Sequence, residues 1–128
     1  MRLLQVTILA TVFVLFSTLD VFSQGRKKRT PEEMAKQQTE WMKQELKLTK
    51  EQEQKIYKIN LETSKKIKET WEKHSGNREA MQAAMKETRR KKDKEIKEAL
   101  TKEQYELYKK KLAERRNNFQ NKKKNKMQ

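Results

Sequence analysis

The chain has 128 residues, with 33 Lys and Arg against 18 Asp and Glu, one His, no Cys, two Gly and one Pro, for a formal net charge of +15. The lack of Cys excludes a disulfide-stapled domain, and so few turn residues exclude a β-sandwich, barrel or doubly wound fold. So small and polar a body cannot bury a thick core, which leaves a thin, highly charged, nearly all-helical protein that gains from a partner subunit.

Residues 1–23 read MRLLQVTILATVFVLFSTLDVFS. Arg2 gives a positive start, Leu3 to Leu19 form the apolar run, and Val21-Phe22-Ser23 offers tolerated residues for cleavage before Gln24. This is the pattern of a secretory signal peptide. The alternative is a retained anchor, because the run is at the short edge of a spanning helix. Arg26, Lys27, Lys28 and Arg29 follow it closely, and positive charge there normally resists translocation. Export would remove ATP and the genome as everyday partners. The organisation expected is a signal peptide over 1–23, a basic linker over 24–30, a helical domain over 31–119 and a disordered basic tail over 120–128.

Lys, Glu, Gln, Ala, Met and Leu dominate the rest, and these are strong helix formers. Helix starts are marked three times. Thr30-Pro31-Glu32-Glu33 places an N-cap Thr, then Pro at the first helical position, then Glu at N3. Thr49-Lys50-Glu51-Gln52 and Thr101-Lys102-Glu103-Gln104 repeat the capping box with Gln. Leu100 and Tyr105 suit a hydrophobic staple, whereas Glu53 occupies the position where Leu48 would need its partner. Ser75-Gly76-Asn77 supplies a Gly stop and an Asn cap. Four helices are predicted, at about 31–46, 50–74, 78–99 and 102–119. Six acid-to-Lys pairs at i,i+4 should support them at about 0.2–0.5 kcal/mol each: Glu51–Lys55, Glu62–Lys66, Glu69–Lys73, Glu87–Lys91, Asp93–Lys97 and Glu106–Lys110.

The apolar stripes are narrow. One runs Ile56, Ile59, Asn60, Thr63, Ile67, Trp71, and the next runs Met81, Ala84, Met85, Thr88, Lys92, Ile96, Ala99. Folded antiparallel about Gly76, they bring Trp71 near Met81, Ile67 near Met85 and Ile56 near Ile96. The expectation is a hairpin tight at both ends and loose in its polar middle.

The pentapeptide Leu-Thr-Lys-Glu-Gln occurs twice, at Leu48–Gln52 and Leu100–Gln104. With the export signal, four helices, high charge and no Cys, these paired Leu-Thr-x-x-Gln motifs resemble the Spy/CpxP family of periplasmic proteins, over about residues 30–119. The dense Lys content and basic tail depart from many members. The resemblance implies an elongated, thin-cored helical hairpin arrangement that pairs as an antiparallel, cradle-like homodimer in the periplasm of a Gram-negative bacterium. It further implies an ATP-independent chaperone or envelope-stress protein holding unfolded clients on a cationic concave face, or a relative that senses or resists metals. Leu48, Thr49, Gln52, Leu100, Thr101 and Gln104 would then be structural caps and not a binding site.

The residues themselves fit client holding. No Gly-rich phosphate loop is present to drive a nucleotide cycle. The charge steers acidic chains in a salt-sensitive way, and Met side chains adapt to varied apolar shapes. The candidate contacts for unfolded or acidic clients are Met34, Met42, Met81 and Met85, with Lys86, Arg89 and Arg90 for charge, although Met81 and Met85, each taken alone, suit a simple hairpin core slightly better. Catalysis is not expected, for there is no Cys nucleophile and His74 reads as a surface residue at a helix end. No cofactor is expected. A lesser alternative is a metal site, with Met81 and Met85 presenting thioethers one turn apart and His74, Glu72 and Glu79 as harder ligands. A pI near 10 and Lys122-Lys123-Lys124 would also bind nucleic acid or lipopolysaccharide without specificity. No specific nucleic acid and, after signal cleavage, no integral membrane association is expected.

Overall fold

The computed structural model describes residues 28–127, all helical apart from caps and turns. The signal peptide and most of the basic linker expected before residue 28 lie outside the described residues. The helices are α1 (Pro31–Leu46), α2 (Lys50–Lys73), α3 (Arg78–Ala99) and α4 (Lys102–Lys126). Among the described residues no helix is long and apolar enough to cross a membrane.

The three Thr residues start their helices as the sequence predicts. Thr30, Thr49 and Thr101 each accept the amide of the residue at N3, whose Glu or Gln returns to the cap amide. Asn77 caps α3 by accepting from the Ala80 amide at 3.1 Å. Gly76 turns the chain at φ +92°, a region open to Gly at little steric cost. Lys47 closes α1 in the same left-handed region, at φ 52°, with no such freedom.

α1 packs against α2, α2 folds back on α3 about Gly76, and α4 leans on α1 and, more lightly, on α3. The apolar core sits at one end of this arrangement. Met42, Leu46, Ile56, Ile96, Leu100 and Tyr108 are buried together, with Trp41, Leu48, Ile59, Ala99, Tyr105 and Leu112 packed around them. Ile56 and Ile96 meet there fully buried, as expected from folding about Gly76. Leu100 and Tyr105 share this cluster, as a staple would place them.

Away from that end the seam is polar. Ala35, Thr39, Asn60, Thr63, Ser64 and Thr70 are its buried residues. Three seam threonines satisfy their hydroxyls within their own helices: Thr39 donates to Ala35 O, Thr70 to Lys66 O and Thr88 to Ala84 O, at 2.7–2.9 Å. Asn60 donates to Thr39 Oγ1 at 3.0 Å, while its own Oδ1 is buried without a partner.

The expected second tight end is corrected by the structure. Trp71 is 59% exposed and Thr70, one residue earlier, takes the inward position. Ile67, Met81 and Met85 are only half-buried. Both Thr70 and Trp71 fit helical spacing from Ile67, and the small hydroxyl that bonds its own helix lets α2 and α3 approach near the turn.

Helix α4 also runs beyond its expected end near residue 119, to Lys126. Nothing between Arg115 and Lys126 is Gly or Pro, so no residue stops it. From Ala113 onward every described residue is exposed. None of the six expected i,i+4 ion pairs forms. Glu87 reaches Arg90, Lys66 reaches Glu69 and Lys109 reaches Glu106, all at i,i+3, while Lys68–Glu72 and Lys91–Glu95 run in the reverse order. These are exposed groups with several partners of nearly equal energy, so spacing alone does not choose among them. Two pairs join helices instead: Lys43–Glu53 at 3.4 Å and Lys111–Glu45 at 3.0 Å.

Candidate functional site

The two Leu-Thr-Lys-Glu-Gln segments, 52 residues apart in sequence, meet in space. Gln52 Nε2 donates to Gln104 Oε1 at 2.6 Å, and Gln104 Nε2 donates back to Gln52 Oε1 at 3.1 Å. Each Oε1 also accepts its own cap amide, from Thr49 at 3.1 Å and Thr101 at 3.0 Å. The second hydrogen of each amide goes to a helix end across the interface. Gln52 donates to Ala99 O at the end of α3, at 3.5 Å, and Gln104 donates to Leu46 O at the end of α1, at 3.3 Å. Both amides thereby use two donors and two acceptor directions, their full capacity. Glutamate could supply the cap but neither donor. The first box, which faces solvent, does use glutamate, at Glu33. Thr49, Gln52, Thr101 and Gln104 form the two capping boxes, while Leu48 and Leu100 belong to the apolar cluster. The two glutamines are also a cross-tie between the α1–α2 and α3–α4 halves, which sequence reasoning missed. The one available signal was Gln at N3 in both copies.

The residues expected to touch clients separate into three groups. Met42 is a core residue, 2% exposed on the face of α1 that meets Ile56, and cannot reach a ligand; its placement among surface contacts is corrected. Met34, Met81 and Met85 are half-buried. Lys86 and Arg89 are exposed, and neither is ion-paired among the described residues. Arg90 is exposed but held by both oxygens of Glu87, at 2.8 and 3.1 Å. That bond lowers the Glu87 carboxyl and raises the guanidinium, so Arg90 offers less free charge than Arg89. Trp71 is the large apolar group the hairpin exposes near its turn, and the seam pattern had assigned it to the core.

The middle of the α2–α3 seam opens into a cleft of about 220 Å³ lined by Glu62, Thr63, Lys66, Glu87, Thr88, Lys91, Lys92 and Glu95. The Lys92 stem lies along it, while Nζ reaches α1 and donates to Gln38 Oε1 at 2.7 Å. Burial, and then the neighbouring Arg115 charge, lower the Lys92 ammonium to about 8. On the other side of α3, Tyr105 donates to Asp93 at 2.9 Å, which raises the phenol, with Lys97 and Lys109 over its ring at 5.8 and 5.1 Å. Tyr108 is also raised, chiefly by burial. Trp41 and Tyr108 stack at a tilt, 6.4 Å apart, and Arg115 lies 5.0 Å from the Trp41 ring.

His74 caps the end of α2, its backbone amide donating to Thr70 O. Among the described residues no group of three or more His, Asp or Glu is placed to hold a metal ion.

No curated protein and no solved structure matches the chain. A family model described as a domain of unknown function, DUF4890, matches residues 22–108, a span that ends on the last buried core residue, Tyr108, and the chain belongs to that family.

Proposed function

We propose that this protein is a Spy/CpxP-like holding protein: an ATP-independent chaperone or envelope-stress protein, exported to the periplasm, that keeps unfolded or acidic chains on a cationic surface with small apolar patches. The observation that carries the reading is the open end of the α2–α3 hairpin. Trp71 is 59% exposed there, Met81 and Met85 are half-buried, and Lys86 and Arg89 stand uncompensated nearby in sequence. A single ring and two flexible thioethers set among cations bind many apolar segments weakly and release them quickly. The meeting of the two Leu-Thr-x-x-Gln motifs is what a paired hallmark would require, and it supports the resemblance. The thin core of one chain supports pairing into a cradle-like homodimer.

The test is suppression of aggregation of a denatured acidic client by the purified protein without ATP. Suppression that weakens at high salt and is reduced by Trp71→Ala is expected. No suppression at stoichiometric excess overturns the reading. Light scattering at micromolar concentration should give a dimer mass. Fractionation of native cells with mass spectrometry of the amino terminus should give an exported chain beginning near Gln24.

A second reading rests on the far half of α4. Arg115, Arg116, Lys122, Lys123, Lys124 and Lys126 stand exposed there without an acid after Glu114. Such a rod binds polyanions without specificity, with an affinity that falls steeply with salt.

A further inference from the structure

Two helices, α3 and α4, send cations to one place on α1, and none of them is ion-paired among the described residues. Lys92 crosses from α3 to Gln38 on α1. Arg115 of α4 is held against Trp41, close enough for its charge to depress Lys92. Arg116 follows it. Among the described residues none of these three cations has an ion-pair partner, and no carboxylate acts on Lys92. Other α4 cations differ, for Lys109 and Lys111 each have a glutamate. An open groove of about 400 Å³ lies beside them, lined by Gln38, Leu112, Arg115, Arg116, Phe119 and Gln120, within the size range of small-molecule sites. Four other grooves on this surface each carry at least two glutamates, whereas this one carries none; Lys92 lines one of those four with its stem and meets this groove through Gln38.

The groove is also two-sided in character. Leu112 and the Phe119 ring, 70% exposed, form an apolar wall, and the cations stand at its edge. Gln38 gives its oxygen to Lys92, and its amide nitrogen makes no hydrogen bond among the described residues, leaving a donor beside the groove. Such a site calls for one negative head on a short apolar body. A flat head with two oxygens suits cations that come from separate helices, one oxygen for each. We propose that the groove between α1 and α4 binds a short acyl carboxylate, its head between Lys92 and Arg115 and its chain along Leu112 and Phe119. The site is distinct from the open hairpin end and does not depend on client holding there.

Titration calorimetry of the purified protein with octanoate tests it. Saturable binding of one octanoate per chain is expected, at least about tenfold tighter than octanol. Lys92→Met, Arg115→Gln and Arg116→Gln should each weaken it, the first two by about tenfold, while removing two charges farther along α4, with Lys122→Gln and Lys123→Gln, changes it less than about twofold. Because Arg116 is exposed, its variant keeps the test valid if either of the others unfolds. Octanoate should also raise the titration midpoint of the Lys92 ammonium from about 8, read by nitrogen NMR. Absence of saturable binding, octanol binding as tightly as octanoate, or an equal loss in the Lys122/Lys123 variant overturns the proposal. Tighter binding of octyl phosphate overturns the choice of carboxylate.

Discussion

The two ends of the α2–α3 hairpin both carry large apolar side chains and behave as opposites. At the end near Gln52 and Gln104, two isoleucines are fully buried, α1 and α4 close over them, and paired amides tie four helix ends together. At the turn end the same two helices have only each other, a threonine faces inward and a tryptophan faces water. The difference is not a lack of large apolar side chains, since Trp71, Met81 and Met85 lie toward the turn as Ile56 and Ile96 do at the closed end. It is the number of elements available to cover them. A helix pair buries one stripe, and only a third and fourth helix turn that stripe into a core.

The largest expected effect breaks the closed end. Ile96→Ala should cost about 2–5 kcal/mol in denaturant unfolding, while Trp71→Ala stays within about 0.5 kcal/mol; equal losses would erase the contrast. Hydrogen exchange sharpens it, with protection falling steadily from Ile56 and Ile96 toward Gly76. Next is Gln104→Glu, which removes the donors to Gln52 and to Leu46 O and should cost about 2–3 kcal/mol at neutral pH. Glu33→Gln, in the solvent-facing box, should be near neutral, and thermal melts of the two variants side by side decide the point.

Lys92 gives a smaller, pH-dependent effect. Its ammonium is lowered in the folded state to about 8 from an ordinary value of 10.5. Between these values the unfolded chain holds the proton that the folded chain has lost, so stability rises with pH across that window, by at most roughly 3 kcal/mol. Lys92→Met should be more stable than the parent at pH 7 and lack this share of the rise. The raised phenols of Tyr105 and Tyr108 act the other way. They favour the folded state up to their ordinary range, and that contribution is lost as the pH climbs through their folded values. The smallest effect belongs to the exposed pairs: Lys66→Ala should change stability by less than about 0.5 kcal/mol.

The helix starts were legible because each carries its own chemistry, a Thr or Asn cap whose side chain accepts the amide three places on. The closed end was legible in part, since Ile56 and Ile96 fall opposite each other once Gly76 is taken as the turn. Trp71 was not, because i+3 and i+4 positions are equal in spacing and the choice depended on how closely two backbones approach. The ion pairs were not legible for a related reason: Glu87 has both Arg90 and Lys91 within reach. The cross-tie between Gln52 and Gln104 was beyond local reasoning. Capping rules see a residue and its next three neighbours, and this bond joins positions 52 apart. The acid-free groove was equally hidden, since Lys92 read as a break in a stripe and Arg115 as part of a tail.

The reciprocal glutamines have a consequence for the order in which the molecule is made. A nascent chain that has emerged only as far as the hairpin turn holds Gln52 with its cap satisfied but its outward hydrogens unanswered. Ile56 and Met42 then have no lid. Nothing finishes the first half until the second copy of the pentapeptide has been made, so the closed end is completed only when both copies are present.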